Sequence, residues 1–380
     1  MKYENTSVPH LQVRYAFAIL RLRKHAGERR ATVRKRLIIY TLLIALLGAA
    51  ATYAANGSGE SLVSLSYLRG SFTDSVLQKA EKVLEEAENG EPLPSGYTEK
   101  RFKCGDALTV SSGGSVIVLA GDVQLQCSGA VIDASEGKTV ADGAALAVNH
   151  RYLVGEDASA GFITTGKTSC MDYMGSVSIS PSANKPDYNA MAEALKSLTL
   201  LRGSFTAYGS GFDLEKVPTR GAALIMFIRM LGEEEEALAY HGSCPFTDLD
   251  KNGATYPYVV YAYNKGYTTG YTKTEFRPSQ PSNIYQYTAF ILRAMGYSST
   301  TNISTILDTA YEVGVITASE RESFKSGSFL RADLVYLSFY ALQAMLPGGE
   351  MTLADQLMEK GVFTYRQYRA ANAMVTSARI

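Results

Sequence analysis

The run Pro245-Phe246-Thr247-Asp248, then Tyr256 to Lys265, Gly266-Tyr267-Thr268-Thr269-Gly270, Phe276-Arg277-Pro278 and Leu292-Arg293-Ala294-Met295-Gly296-Tyr297 decides how the second half of this chain is read. Tyr258, Val259, Ala262 and Tyr263 recur at the spacing of one helical face, which predicts a helix over 256–265. Gly266 can end that helix, Gly270 turns the chain back, and Phe276 supplies a buried anchor. Pro278 and Pro281 stiffen the approach to a second helix capped near Ser282 or Asn283.

Parts of the same pattern flank this unit. Upstream, Pro218-Thr219-Arg220 opens an apolar helical run that ends at Gly232. Downstream stand Ala310-Tyr311-Glu312-Val313-Gly314 and Phe329-Leu330-Arg331-Ala332-Asp333. In order, the Phe-x-Asp, Lys-Gly-x-x-x-Gly, Phe-x-Pro and Leu-Arg-Ala-x-Gly-Tyr elements resemble the S-layer homology (SLH) repeat, with which secreted bacterial proteins hold cell-wall polysaccharide. The resemblance covers about 187–346 and implies SLH-like repeats at 183–243, 244–298 and 299–346, the third divergent. Together they would form an all-α, pseudo-threefold helical bundle, with further helices over 347–380. It also implies a groove between repeats, where an arginine at the start of the second helix meets acidic, pyruvylated sugar.

Arg220 and Arg331 match that arginine and Asp333 the acidic position; Thr219, Tyr256 and Tyr267 complete the candidate polysaccharide-binding set. A planar guanidinium at a helix N-terminus can fork onto a carboxylate, and the helix dipole adds to the attraction. The central unit departs from the pattern, with Asn283-Ile284-Tyr285-Gln286 where Thr-Arg-Ala-Glu would stand. The family's first-helix Trp is also absent, replaced near Thr255 and Tyr256. The plainer alternative is that both arginines cap and brace helix starts. Tyr256, Tyr258, Tyr261, Tyr263, Tyr267 and Tyr271 could stack on sugar faces, although most should pack in the core.

Ahead of the helices, residues 100–182 read as a β-rich module. Ala107-Leu108-Thr109-Val110, the run from Ser115 to Leu119, Val123-Gln124-Leu125-Gln126 and the run from Ala145 to Val148 alternate with Gly-Gly, Ser-Gly and Asp-Gly turns. Residues 56–99 hold a Gly/Ser linker and a helix over 74–89. Ser64–Thr73 recurs as Ser197–Thr206 with the β module between, which marks that module as an insertion between related helical units. Each copy should end a helix at Leu-Arg before a glycine. The fold class expected is thus α+β and multidomain.

Lys+Arg and Asp+Glu are both 37, but the balance is uneven. Residues 1–36 carry ten basic and two acidic side chains, and the rest is correspondingly acidic. A mildly acidic body argues against nucleic acid as the main partner. The apolar stretch 37–55 follows Arg34-Lys35-Arg36 and reads as a cleaved signal peptide or an uncleaved transmembrane anchor. Either leaves the residues after about 56 exported, to the wall or surface of a bacterium or anchored in its membrane. The long basic segment before it reads as an amphipathic membrane-surface helix or as a start codon assigned too early.

With no Trp and 4 His, the chain has few catalytic or metal-binding groups. Asp248-Leu249-Asp250-Lys251-Asn252-Gly253 begins like a calcium loop, but Val259 stands where the bidentate Glu is required, so a polar turn is expected. Glu233–Glu236 reads as a solvated face, and His150 as a turn or sheet residue. Cys104, Cys127, Cys170 and Cys244 allow a Cys104–Cys127 or Cys127–Cys170 bridge, or four free thiols. The expected function is non-enzymatic binding of anionic wall polysaccharide, without cofactor or metal. Two alternatives remain. In one the repeats hold the fold while the β module contacts a surface protein; the other is a wall-modifying enzyme that gathers His150 with Asp142 or Asp157.

Overall fold

The computed structural model describes residues 96–206, 209–297 and 302–380, all within one compact unit, Pro94–Ile380. The apolar segment 37–55, the helix over 74–89 and the copy at Ser64–Thr73 lie outside the described residues. Among the described residues no helix is long and apolar enough to cross a membrane.

An antiparallel β module comes first, as the alternation predicts. Its strands are β1 (Thr98–Lys103), β2 (Ala107–Ser111), β3 (Ser115–Ser128), β4 (Val131–Asp133), β5 (Lys138–Val140), β6 (Arg151–Val154), β7 (Ser159–Met174) and β8 (Val177–Ser180). They are ordered β5-β4-β6-β3-β7-β2-β8, with β1 also on β7. The two short runs read at 115–119 and 123–126 merge into the single strand β3, which buries Val116, Val118, Val123 and Leu125. Register shifts in the β3–β7 ladder at Val118/Ala120 and Gly121/Val123 bend the pair, as bulges do. Both halves thereby reach one core with Phe102, Leu108, Tyr152, Phe162 and Met171. Gly121 sits in that bend at φ +83°, where a Cβ would lie 2.2 Å from the Thr168 carbonyl oxygen. The run at 145–148, expected as a strand, makes only an isolated bridge from Ala145 to Gln124.

Helices follow: α1 (Tyr188–Ser197), α2 (Arg220–Met230), α3 (Glu234–Ala239), α4 (Tyr256–Asn264), α5 (Ile284–Ala294), α6 (Ile306–Glu312), α7 (Ala318–Ser323), α8 (Arg331–Ala341), α9 (Leu353–Glu359) and α10 (Tyr365–Met374). A hairpin of β9 (Ser204–Thr206) and β10 (Gly209–Gly211) lies between α1 and α2. Asp187 caps α1 and Asn283 caps α5, each accepting a backbone N–H from three residues on. α1 stops at Ser197 rather than running on to Gly203; Thr199 takes the positive φ of 63°, and Leu200 and Leu201 turn into the core.

Helices α2, α5 and α8 pack on one another at the centre, while α4 lies on α2, α6 on α5 and α1 on α8. Each outer helix thus covers the inner helix of a neighbouring pair, and the ring of contacts closes. Phe227, Tyr287, Phe290 and Leu334 fill the middle, each burial worth about 2 kcal/mol. The hydroxyls of Tyr287 and Ser338 lie 2.7 Å apart there and satisfy each other.

Candidate functional site

The start of α2 rests on the loop before α5. Thr219, exposed, caps the helix by accepting from the Ala222 N–H. The next two orphan donors go to the loop: Arg220 N–H to the Gln280 carbonyl (2.8 Å) and Gly221 N–H to the Pro278 carbonyl (2.9 Å). A Cβ at Gly221 would come within 3.0 Å of Thr255 Cγ2 and 3.2 Å of the Pro278 oxygen, so the helix start approaches the loop closely. The Arg220 side chain is 3% exposed. Its Nε donates to the Phe276 carbonyl (2.8 Å), and the guanidinium stands over the rings of Phe276 (4.7 Å) and Phe290 (5.7 Å). Among the described residues no carboxylate lies within ion-pair distance of it. Burial lowers its pKa to about 10 and the nearby Arg293 guanidinium pushes the same way, while Tyr271 and the more distant Asp248 carboxylate pull weakly against them. A desolvated cation beside a second one is costly, and the carbonyl and two rings compensate only in part.

The start of α8 repeats this arrangement on the loop before α2. Arg331 N–H donates to the Lys216 carbonyl (2.8 Å), Ala332 N–H to that of Leu214 (3.0 Å), and Arg331 Nε to that of Phe212 (2.8 Å). The two loops even share a positive φ at matching places, 60° at Arg277 and 51° at Asp213. Asp333 is buried; it accepts the Leu330 N–H (2.8 Å) and pairs with the Lys167 ammonium of β7. Burial pushes its carboxyl up, against the pull of Lys167. At α5 the arginine's place is held by Ile284, buried in the core.

Of the six candidate residues, the structure brings Thr219 and Arg220 to one junction, which Thr255, the neighbour of Tyr256, also reaches, and Arg331 and Asp333 to another. Tyr256 opens α4 beside Thr255, half-buried, with no partner for its ring or hydroxyl among the described residues. Tyr267 is spent elsewhere: its hydroxyl donates to Glu233, and its ring meets Phe227 and Tyr261 edge-on. Sequence reasoning missed Arg293, which donates to the Tyr267 carbonyl from the last turn of α5. It sits in the Leu-Arg-Ala-Met-Gly-Tyr element, whose shape rather than charge carried the resemblance. Lys167 was missed too, since nothing local links a β-strand lysine to Asp333.

The Glu233–Glu236 run is not a solvated face throughout. Glu233 and Glu234 are buried, and Tyr258, Tyr261 and Tyr267 donate their hydroxyls to Glu234, Glu233 and Glu236. Hydrogen bonding from α4 makes the burial tolerable. His150 Nδ1 lies 2.7 Å from Asp133, with Glu136 close enough to form a three-ligand cluster. It does not meet Asp142, which accepts the Cys127 N–H (2.8 Å). The turn expected at 248–253 is made by Asp250, which accepts the Asn252 N–H, whereas Asp248 reaches across to accept the N–H groups of Phe276 and Arg277. All four cysteines are free, and burial pushes the Cys170 thiol up to about 12.

Residues 245–281 match the family model described as the S-layer homology domain, so the chain carries such a domain at that place. An S-layer homology domain supports a cell-surface, cell-wall-binding role for its carrier. No curated protein matches the chain. A solved structure, the recombinant pro-11S globulin of pumpkin, shares 10% identity over 27% of this chain and 29% of its own, with a TM-score of 0.15. At that score the likeness carries no argument.

Proposed function

We propose that the chain is an exported, non-enzymatic protein that holds anionic secondary wall polysaccharide at the junction of α2 with the loop before α5. On this reading the three helix pairs are pseudo-threefold SLH repeats, and the family model matches in the central one. The observation that carries it is Arg220, desolvated, next to Arg293 and without an acidic partner among the described residues. A sugar carboxylate arriving there would supply the direct ion-pair contact that Asp248, acting only from a distance, does not, with Thr219 exposed at the helix start and Tyr256 offering an unpartnered ring.

The test is co-sedimentation of the full chain with bacterial wall sacculi, before and after acid extraction of their secondary polysaccharide. Binding is expected only before extraction, and Arg220→Ala should weaken it at least tenfold, the loss of about 1.4 kcal/mol or more. Undiminished pelleting of Arg220→Ala, or of wild type with extracted sacculi, would sink the proposal.

A further inference from the structure

The junctions at Arg220 and Arg331 share a backbone but differ in charge and in what covers them. Beside Arg220, the positions two residues along the helix and three along the loop are Ala222 and Ser279, both uncharged. Their counterparts beside Arg331 are Asp333 and Glu215, whose side chains are 3% and 10% exposed. The β module lies against these two acids. The Lys167 ammonium pairs with Asp333, and Thr168 Oγ1 donates to Glu215 Oε1 (2.7 Å). Arg101 Nη1 stands 3.7 Å from the same oxygen. Gly211 packs so closely under Arg101 that a Cβ would lie 1.9 Å from its Nη2. Gly121, Val148 and Leu330 line the small pocket that remains.

We propose that the Arg331 junction is the docking site of the chain's own β module, which leaves the Arg220 junction as the one groove for anionic wall polymer. The second clause rests on the polysaccharide reading above; the first does not. An anionic polymer at Arg331 would face two acids and would have to displace Lys167, stranding a buried carboxylate. The third junction has Ile284 where an arginine would be needed. One chain therefore binds one stretch of polymer and gains no avidity from its own repeats.

Two measurements on the full chain test this. In urea unfolding of Lys167→Met, Asp333→Asn and the double variant, the two substitutions should couple at least tenfold in the unfolding equilibrium constant. Independent effects would overturn the docking. In calorimetric titration with short, carboxylate-bearing oligosaccharides cut from extracted wall polymer, one site per chain is expected. Arg220→Ala should weaken that site at least tenfold, whereas Arg331→Ala and Glu215→Gln should stay within twofold. Two sites per chain, or a tenfold loss in Glu215→Gln, would overturn the assignment of a single groove. Absence of heat with wild type, together with intact coupling, would remove the polysaccharide reading and leave the docking in place.

Discussion

Glu320 is wholly buried at the start of α7, and three groups compensate it: the Thr317 N–H, the Tyr336 hydroxyl and the Arg379 guanidinium. Arg379 reaches it from the second-last position of the chain, lying over the Tyr340 ring (4.2 Å) and donating to the Val315 carbonyl. Removing one partner of a buried ion pair leaves the other charge uncompensated. Arg379→Ala should therefore cost about 3 kcal/mol, seen as a clear drop in the urea midpoint. An unchanged midpoint would mean that the tail contributes nothing to the bundle. No local pattern predicts this pair, because its members are far apart in sequence and only the packing of the tail joins them. Arg220 is the opposite case. Its place at a helix start was legible from Pro218-Thr219-Arg220 alone, but its burial was not, since that depends on Phe276 and Phe290 from another unit.

At the scale of elements, local chemistry set most boundaries. Thr219, Asn283 and Thr317 cap the helices that their residue types suggest, and Gly266 turns the chain out of α4 at φ +76°. Gly270 is the strictest of these signals. It stands at φ +85°, where a Cβ would fall 2.4 Å from the Phe246 ring and 2.5 Å from the Thr272 carbonyl oxygen. Gly270→Ala should lower stability by about 2 kcal/mol or more, since both backbone strain and overlap act there. A thermal melt within a degree of wild type would refute that account of the turn. Where elements depart from expectation, tertiary contacts decide. The strand expected at 145–148 shrinks to one bridge, and α1 stops before Gly203 because Leu200 and Leu201 enter the core.

Across the whole molecule, Asp106 fastens the β module to the segment that leads into the helices. It accepts hydrogen bonds from the Ser182 N–H (2.7 Å), the Lys103 N–H (3.1 Å) and the Lys103 ammonium (2.6 Å). Burial works against its charge, but these donors outweigh it and hold the carboxyl below its ordinary value. A carboxyl depressed in the folded state adds stability that is complete above about pH 4 and lost as pH falls through the folded value. Asp106→Asn should therefore be less stable near neutrality and lose less on acidification. Urea midpoints followed from pH 7 to 2 check this, and parallel curves for the two proteins would refute it. The sequence by itself determined the β-then-α order, the helix caps and turns, and the SLH-like unit at 245–281, because each follows from spacing and chemistry within a few residues. Tertiary structure alone decided which arginine is buried without a carboxylate in ion-pair contact among the described residues, which tyrosines turn inward onto glutamates, and that Lys167 covers Asp333. Those are matters of charge and burial between distant segments, and the energy of a charge depends on what surrounds it in space.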